Sequence, residues 1–126
     1  MSNKVLFLVV GIIILSVIGY GIYQWAKYQA EPGDLDIFAT CLKDSGAMFY
    51  GAYWCPHCQT QKKMFGKSEK LLPYIECSTP DGRGQLPVCK DAGIRSYPTW
   101  RFSDGEERSG ELSLVFLSEK TGCQLP

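Results

Sequence analysis

An α/β domain behind one membrane-spanning helix is the architecture the sequence predicts. Three observations carry it. Val5 to Tyr23 is a run of nineteen residues without a charge. Beyond residue 34, segments with helical periodicity alternate with short apolar, strand-like runs. Where one such run gives way to a helix, Cys55 and Cys58 stand three residues apart. These features divide the 126 residues into an anchor with its flanks, 1–30, a linker, 31–34, and one domain, 35–126. Lys and Arg number 13 against 13 Asp and Glu, and without Lys4 and Lys27 the domain carries 11 − 13 = −2. Nucleic-acid binding needs a basic surplus and a basic stripe, so it is excluded as an expectation. With 45% apolar and 13% aromatic residues, the chain can fill a packed core and is not disordered.

The uncharged run comes first. At ~1.5 Å per helical residue it reaches about 28 Å, close to the hydrocarbon thickness of a bilayer. Tyr20, Tyr23 and Trp25 gather at its far end, followed by Lys27 and Tyr28, as amphipathic rings do at headgroup level. A cleaved signal peptide is the alternative reading. The run is longer than a signal core, and Tyr28-Gln29-Ala30 is a poor cleavage site, so a retained single-pass anchor in the cell membrane is preferred. Lys4 precedes the span and six cysteines follow it, which together place the N-terminus in the cytoplasm and the domain in a periplasmic or extracellular, oxidising space.

Glu31-Pro32-Gly33 interrupts the helix. Leu35, Phe38, Ala39 and Leu42 recur with helical spacing, Asp34 being available as N-cap and Gly46 as terminator. Ala47 to Ala52 reads as a buried strand. Pro56 fits the first turn of a helix that runs to Lys63 or Met64, because its missing N–H has no helical partner there anyway. Leu71 to Cys77 is expected as a second strand, Ser78 to Gly84 as turns, and Leu86 to Ala92 as a short helix ending at Gly93. Ser96 to Phe102 reads as an alternating strand entered by Pro98, with a hairpin turn at Asp104-Gly105 leading into Glu107 to Ser109. Ser113 can cap a last helix that Gly122 ends.

The chemistry lies in Cys55-Pro56-His57-Cys58. Two cysteines at a helix start can close a disulfide across one turn, while the helix N-terminus favours a thiolate at the first sulfur. Cys55 is therefore the expected nucleophile and Cys58, deeper in the helix, the resolving thiol. His57, the only histidine, stands between them, where an imidazolium would favour the thiolate and make the disulfide more oxidising. Half a zinc site is the competing reading of any C-x-x-C. It lacks a second cysteine pair or paired histidines, so no metal is expected, nor any cofactor beyond the chain's own disulfide.

Tyr53-Trp54-Cys55-Pro56-His57-Cys58 after a strand, with Gly93-Ile94-Arg95-Ser96-Tyr97-Pro98-Thr99 some forty residues on, resembles the thioredoxin superfamily. More narrowly, Phe49 to Cys58, Tyr74-Ile75-Glu76-Cys77 and Cys89 to Ile94 resemble the thioredoxin-like domain fused to bacterial vitamin K epoxide reductase (VKOR) homologues. The Pro-His pair is also similar to that of DsbA-type disulfide oxidases. The resemblance implies a central mixed sheet flanked by helices, with a cis Pro98 facing the cysteine pair. Beside that proline the backbone would receive a client chain as an extra strand, with Trp54 and Tyr97 lining the groove. It also implies an added disulfide, Cys77 with Cys89, read as a structural clamp. Cys41 and Cys123 remain and could pin the C-terminus, although six cysteines allow fifteen pairings.

Two departures matter. Phe49 stands where many thioredoxins carry a buried acid that moves the proton of the second cysteine, so that route is missing or supplied elsewhere. One span also cannot hold the quinone site of the fused reductases, which implies a separate VKOR-like or other integral-membrane redox partner. The expected function is a membrane-anchored thiol-disulfide oxidoreductase that gives the Cys55–Cys58 disulfide to thiols of secreted or membrane proteins. An exported reductase or isomerase is the reverse reading, and a tethered binding module without turnover is the reading from another class.

Overall fold

A computed structural model describes residues Ser2–Pro126 as two units, one reaching to Glu31 and the other Pro32–Pro126. The first is helix α1, Asn3–Ala30. Its residues are apolar on every face with none buried, and it is long and apolar enough to cross a bilayer. Helicity continues past the uncharged run because Gln24 to Ala30 contains no helix breaker before Pro32.

The second unit is a four-stranded mixed sheet in the order β2-β1-β3-β4. Its elements are α2 (Asp36–Asp44), β1 (Met48–Gly51), α3 (Pro56–Lys63), β2 (Tyr74–Glu76), α4 (Pro87–Asp91), β3 (Thr99–Arg101), β4 (Glu107–Ser109) and α5 (Leu114–Thr121). β1 runs parallel to β2 and antiparallel to β3, and β3 pairs antiparallel with β4. The α3 connection makes the parallel pairing feasible, since parallel strands need a long crossover. A 3-10 turn, Gly66–Leu71, lies within that crossover.

Alternation along β1 sends side chains to both faces of the sheet. Phe49 and its register partner Trp100 stack with centroids 4.9 Å apart in the larger cluster, with Phe38, Leu42, Phe65, Phe102 and Leu117. Tyr50 belongs to the other cluster, with Cys77, Cys89 and Ile94. Each large apolar side chain so buried contributes about 1.5–3 kcal/mol.

Most predicted elements appear, shortened at their ends, and three details differ. Asp34 does not cap α2: the cap position is Leu35, which has no side-chain cap, and its N–H donates instead to Ser68 Oγ at 3.1 Å. Gly33 permits that approach, because a Cβ there would lie 2.3 Å from Ser68 Oγ. The start of the expected second strand is taken by the 3-10 turn and Pro73, so β2 begins only at Tyr74. β3 is a central strand, with Thr99 and Trp100 buried on opposite faces, so its pattern is not the half-exposed alternation expected. Ser113 does cap α5, its Oγ accepting from Phe116 N–H at 3.1 Å, and Gly122 ends the helix at φ 75°.

Candidate redox site

Cys55 is the N-cap residue of α3 and Pro56 occupies its first turn. The chain leaves β1 at Gly51, and Cys55 N–H donates to the carbonyl of Ala52 at 3.0 Å, a tight turn that sets the sulfur at the helix start. Both cysteines are unbonded and buried, Cys55 at 5% and Cys58 at 1% relative exposure. The structure is thus of the dithiol form.

Opposite the pair runs the segment that enters β3. The Tyr97–Pro98 bond is cis, and the Cys55 thiol donates to the Tyr97 carbonyl at 3.6 Å. Trp54 packs edge-on against the Tyr97 ring with centroids 6.1 Å apart. Trp54, Cys55, Tyr97 and Pro98 are therefore brought together in space from two places in the chain. Tyr53 and Trp54 are each 49% exposed, which leaves an open aromatic rim beside a nearly covered sulfur.

The loop after β2 supports that rim. Trp54 Nε1 donates to Ser78 Oγ at 2.8 Å, Tyr53 OH to the Pro80 carbonyl at 3.1 Å, and Gln85 Nε2 to Tyr97 OH at 2.8 Å. Gly82 comes close beneath Tyr53, at φ 72°, where a Cβ would lie 3.2 Å from the phenol oxygen. Cys77 and Cys89 form a disulfide across this loop. The second disulfide joins Cys41 in α2 to Cys123 beyond α5, 82 residues apart.

The His57 ring lies at the surface. The side chain is 72% exposed and Nδ1 lies 2.6 Å from Glu111 Oε1. Glu111 was not legible in the sequence, being 54 residues away with no motif around it. What brings it here is Gln61, fully buried one turn beyond Cys58. Gln61 Oε1 accepts from Leu112 N–H at 2.7 Å and Nε2 donates to the Leu112 carbonyl at 3.0 Å, fastening the strand-to-helix connection onto α3.

Burial pushes the Cys58 thiol up to about 12, against an ordinary 9.0; the neighbouring Cys55 adds to the rise, while the Ala52 backbone and the Lys62 charge oppose it. Beneath it, Phe49 is fully buried and meets Tyr74 edge-on at 5.2 Å, so the floor is aromatic and not acidic. Tyr74 OH donates to Glu76 Oε2 at 2.7 Å, and burial with that carboxylate raises the phenol far above its usual range. Glu76 Oε1 also accepts from Tyr53 N–H at 3.2 Å and Ser78 N–H at 2.9 Å. Among the described residues, no group of three His, Cys, Asp or Glu is placed to hold a metal ion.

A nucleophile held at a helix start, a resolving thiol one turn behind it and a cis-proline segment beside them can perform thiol-disulfide exchange. No protein-family model matches the chain. It is 46% identical over 89 residues to thiol-disulfide oxidoreductase LTO1 of Arabidopsis thaliana, covering 67% of this chain and 23% of that protein. It is also 32% identical over 88 residues to thioredoxin domain-containing protein 2 of Mus musculus, covering 64% of this chain and 16% of that protein. The chain thus spans less than a quarter of either curated relative. With the mixed sheet, the cis proline and the cysteine pair at a helix start, these similarities identify the domain as thioredoxin-like.

Proposed function

We propose that the chain is a membrane-anchored, extracytoplasmic thiol-disulfide oxidoreductase that gives its Cys55–Cys58 disulfide to protein thiols. One observation carries this reading: Cys55 caps α3 within 3.6 Å of the Tyr97 carbonyl, with Cys58 more deeply buried behind it. In the oxidised form a client thiolate attacks Cys55 Sγ, and the electron pair of the Cys55–Cys58 bond passes to Cys58. A second client thiol then displaces Cys55, so the client leaves with a disulfide and the chain is left as the dithiol. Pro98 and the Tyr97 carbonyl border the space in which a client backbone would lie, with Trp54 and Tyr97 as its aromatic walls.

Two structural disulfides fit an oxidising compartment outside the cytosol, and α1 fits a retained tether. Reoxidation falls to an integral-membrane enzyme of the VKOR-like class, which would take the electrons of the dithiol. The aromatic floor at Phe49 favours oxidation of clients over their reduction, because the thioredoxin-type buried acid is not there to draw the proton from Cys58.

The test is exchange itself. Oxidised full-length chain in lipid nanodiscs, mixed with a reduced unfolded polypeptide, should transfer its disulfide stoichiometrically, and its potential should lie well above the about −270 mV of thioredoxin. A potential at or below that value would assign the reverse reaction. A Cys58→Ser chain that binds polypeptide without any adduct at Cys55 would leave only a docking module.

A further inference from the structure

The missing acid leaves the charge of Cys58 unattended, and a lysine stands in its neighbourhood. Gly51 is the meeting point: a Cβ there would lie 2.8 Å from Tyr74 Cε2 and 2.9 Å from Cys58 Sγ, so only a bare backbone lets the ring edge and the sulfur approach over β1. Lys62 follows Cys58 by four residues on α3, hence on the same face of the helix. Its Nζ sits over the other part of this assembly, 3.4 Å from the Tyr74 ring centroid, a cation–π contact that holds the ammonium half-buried. Beside it a cavity of about 340 Å³, lined by Lys62, Glu69, Lys70, Leu72 and Tyr74, connects the ammonium to water.

We propose that Lys62, held over Tyr74, is the counter-charge to the Cys58 thiolate and does from the helix what a buried group on β1 would otherwise do from the sheet. It is a positioning residue: it touches neither client nor reacting sulfur. When a client thiolate opens the Cys55–Cys58 bond, the electron pair arrives on Cys58 Sγ, and the ammonium lowers the cost of that charge until water supplies a proton. In the reverse step Cys58 S–H gives its proton to water, and the thiolate, steadied by Lys62, attacks Cys55 Sγ and expels the client thiolate. The charged and titratable groups facing Cys58 are Cys55 and Lys62 on α3 and Tyr74 on β2, the phenol of Tyr74 being bonded in turn to Glu76. Of these Lys62 alone is cationic. Glu76 is engaged by a phenol and two backbone N–H groups. The favourable effect of Lys62 on Cys58 agrees with this geometry.

The role rests on the exchange chemistry proposed above, but its test does not require a client. In a full-length Cys55→Ala chain, Cys58 is the one free thiol, the other four being in disulfides. Its alkylation by iodoacetamide is followed against pH, with and without Lys62→Met, which keeps the apolar stem. Removing the ammonium should slow alkylation about threefold to tenfold at fixed pH and move the whole profile to higher pH, and Lys62→Arg should restore it. Lys62→Gln gives a second neutral variant, and thermal midpoints report on folding. Profiles that coincide for Lys, Met and Gln in folded chains overturn the role, as does a loss that Arg does not rescue. Failure of the wild-type chain to exchange disulfides with any polypeptide would instead overturn the proposed function, leaving the alkylation result to stand on its own.

Discussion

Three pairs of cysteines share this small domain, and two of them differ sharply in what surrounds them. Cys77 and Cys89 are fully buried in an apolar cluster with Tyr50 and Ile94, bridged across a loop of separation 12. Cys55 and Cys58 are also buried, yet they sit at a helix start, beside the Tyr97 carbonyl and next to a Tyr74–Lys62 assembly. Burial alone does not separate a structural bridge from a reactive pair. Position does: Cys55 stands at a helix start beside an exposed aromatic rim with Cys58 one turn behind it, whereas Cys77 and Cys89 lie among aromatic and aliphatic side chains. The two pairs are nevertheless joined, because the loop that Cys77–Cys89 closes donates and accepts the hydrogen bonds that hold Tyr53, Trp54 and Tyr97.

The largest effect should come from Cys58→Ser, which breaks the reactive pair and leaves the clamp. Turnover with a polypeptide thiol should vanish while covalent adducts build up at Cys55, read by non-reducing electrophoresis and mass spectrometry. The opposite substitution sharpens the contrast. Cys77→Ala with Cys89→Ala should lower stability by about 2–4 kcal/mol in denaturant titration, while Cys55 remains able to form mixed disulfides. Removing Cys41 and Cys123 opens a loop of separation 82 and should cost more, about 4–5 kcal/mol in the chain-entropy account. If the clamp variant lost its reactivity in the folded state, the loop would be part of the exchange machinery and the division between the pairs would fail.

How much of this was legible follows from the range of each interaction. The Cys55-Pro56-His57-Cys58 run announces itself because everything it needs lies within one helical turn. Ser113 and Gly122 were readable for the same reason, each acting within four residues. Asp34 misled: local propensity offers it as a cap, but Ser68 Oγ, 33 residues from Leu35, takes that part of the chain. Glu111 beside His57 and Lys62 over Tyr74 were hidden, since both depend on how α3 lies on the sheet and on the Gln61 clamp to Leu112. Phe49 was visible as a departure, but what replaces its acid could not be read from a string in which Lys62 is one of 13 basic residues.

His57 offers a smaller test of the same comparison. Its pairing with Glu111 places a carboxylate against the one imidazole of the reactive pair, a feature the clamp cysteines lack. His57→Ala should make the Cys55–Cys58 couple more reducing by about 20–60 mV in a glutathione redox titration, equivalent to roughly one to two powers of ten in equilibrium constant. No change in potential would remove His57 from the chemistry and leave the helix start as the device that acts on Cys55.

The gentlest probe uses pH alone, and it distinguishes the two redox forms of one protein. In the dithiol form the Cys58 thiol is raised from 9.0 to about 12, chiefly by burial. The folded chain therefore holds this proton more tightly than the unfolded chain does. The associated stability is complete below pH 9, where both states keep the proton, and declines between 9 and about 12 as the unfolded thiol ionises first. Oxidation removes the titrating group altogether. Denaturant midpoints measured for the two forms should consequently diverge above pH 9, the dithiol falling further, while the bridged Cys77–Cys89 and Cys41–Cys123 sulfurs contribute nothing to the slope in either form. Parallel slopes would mean that Cys58 is no more shielded in the fold than in the open chain, and burial would not set the resolving thiol apart from an ordinary one.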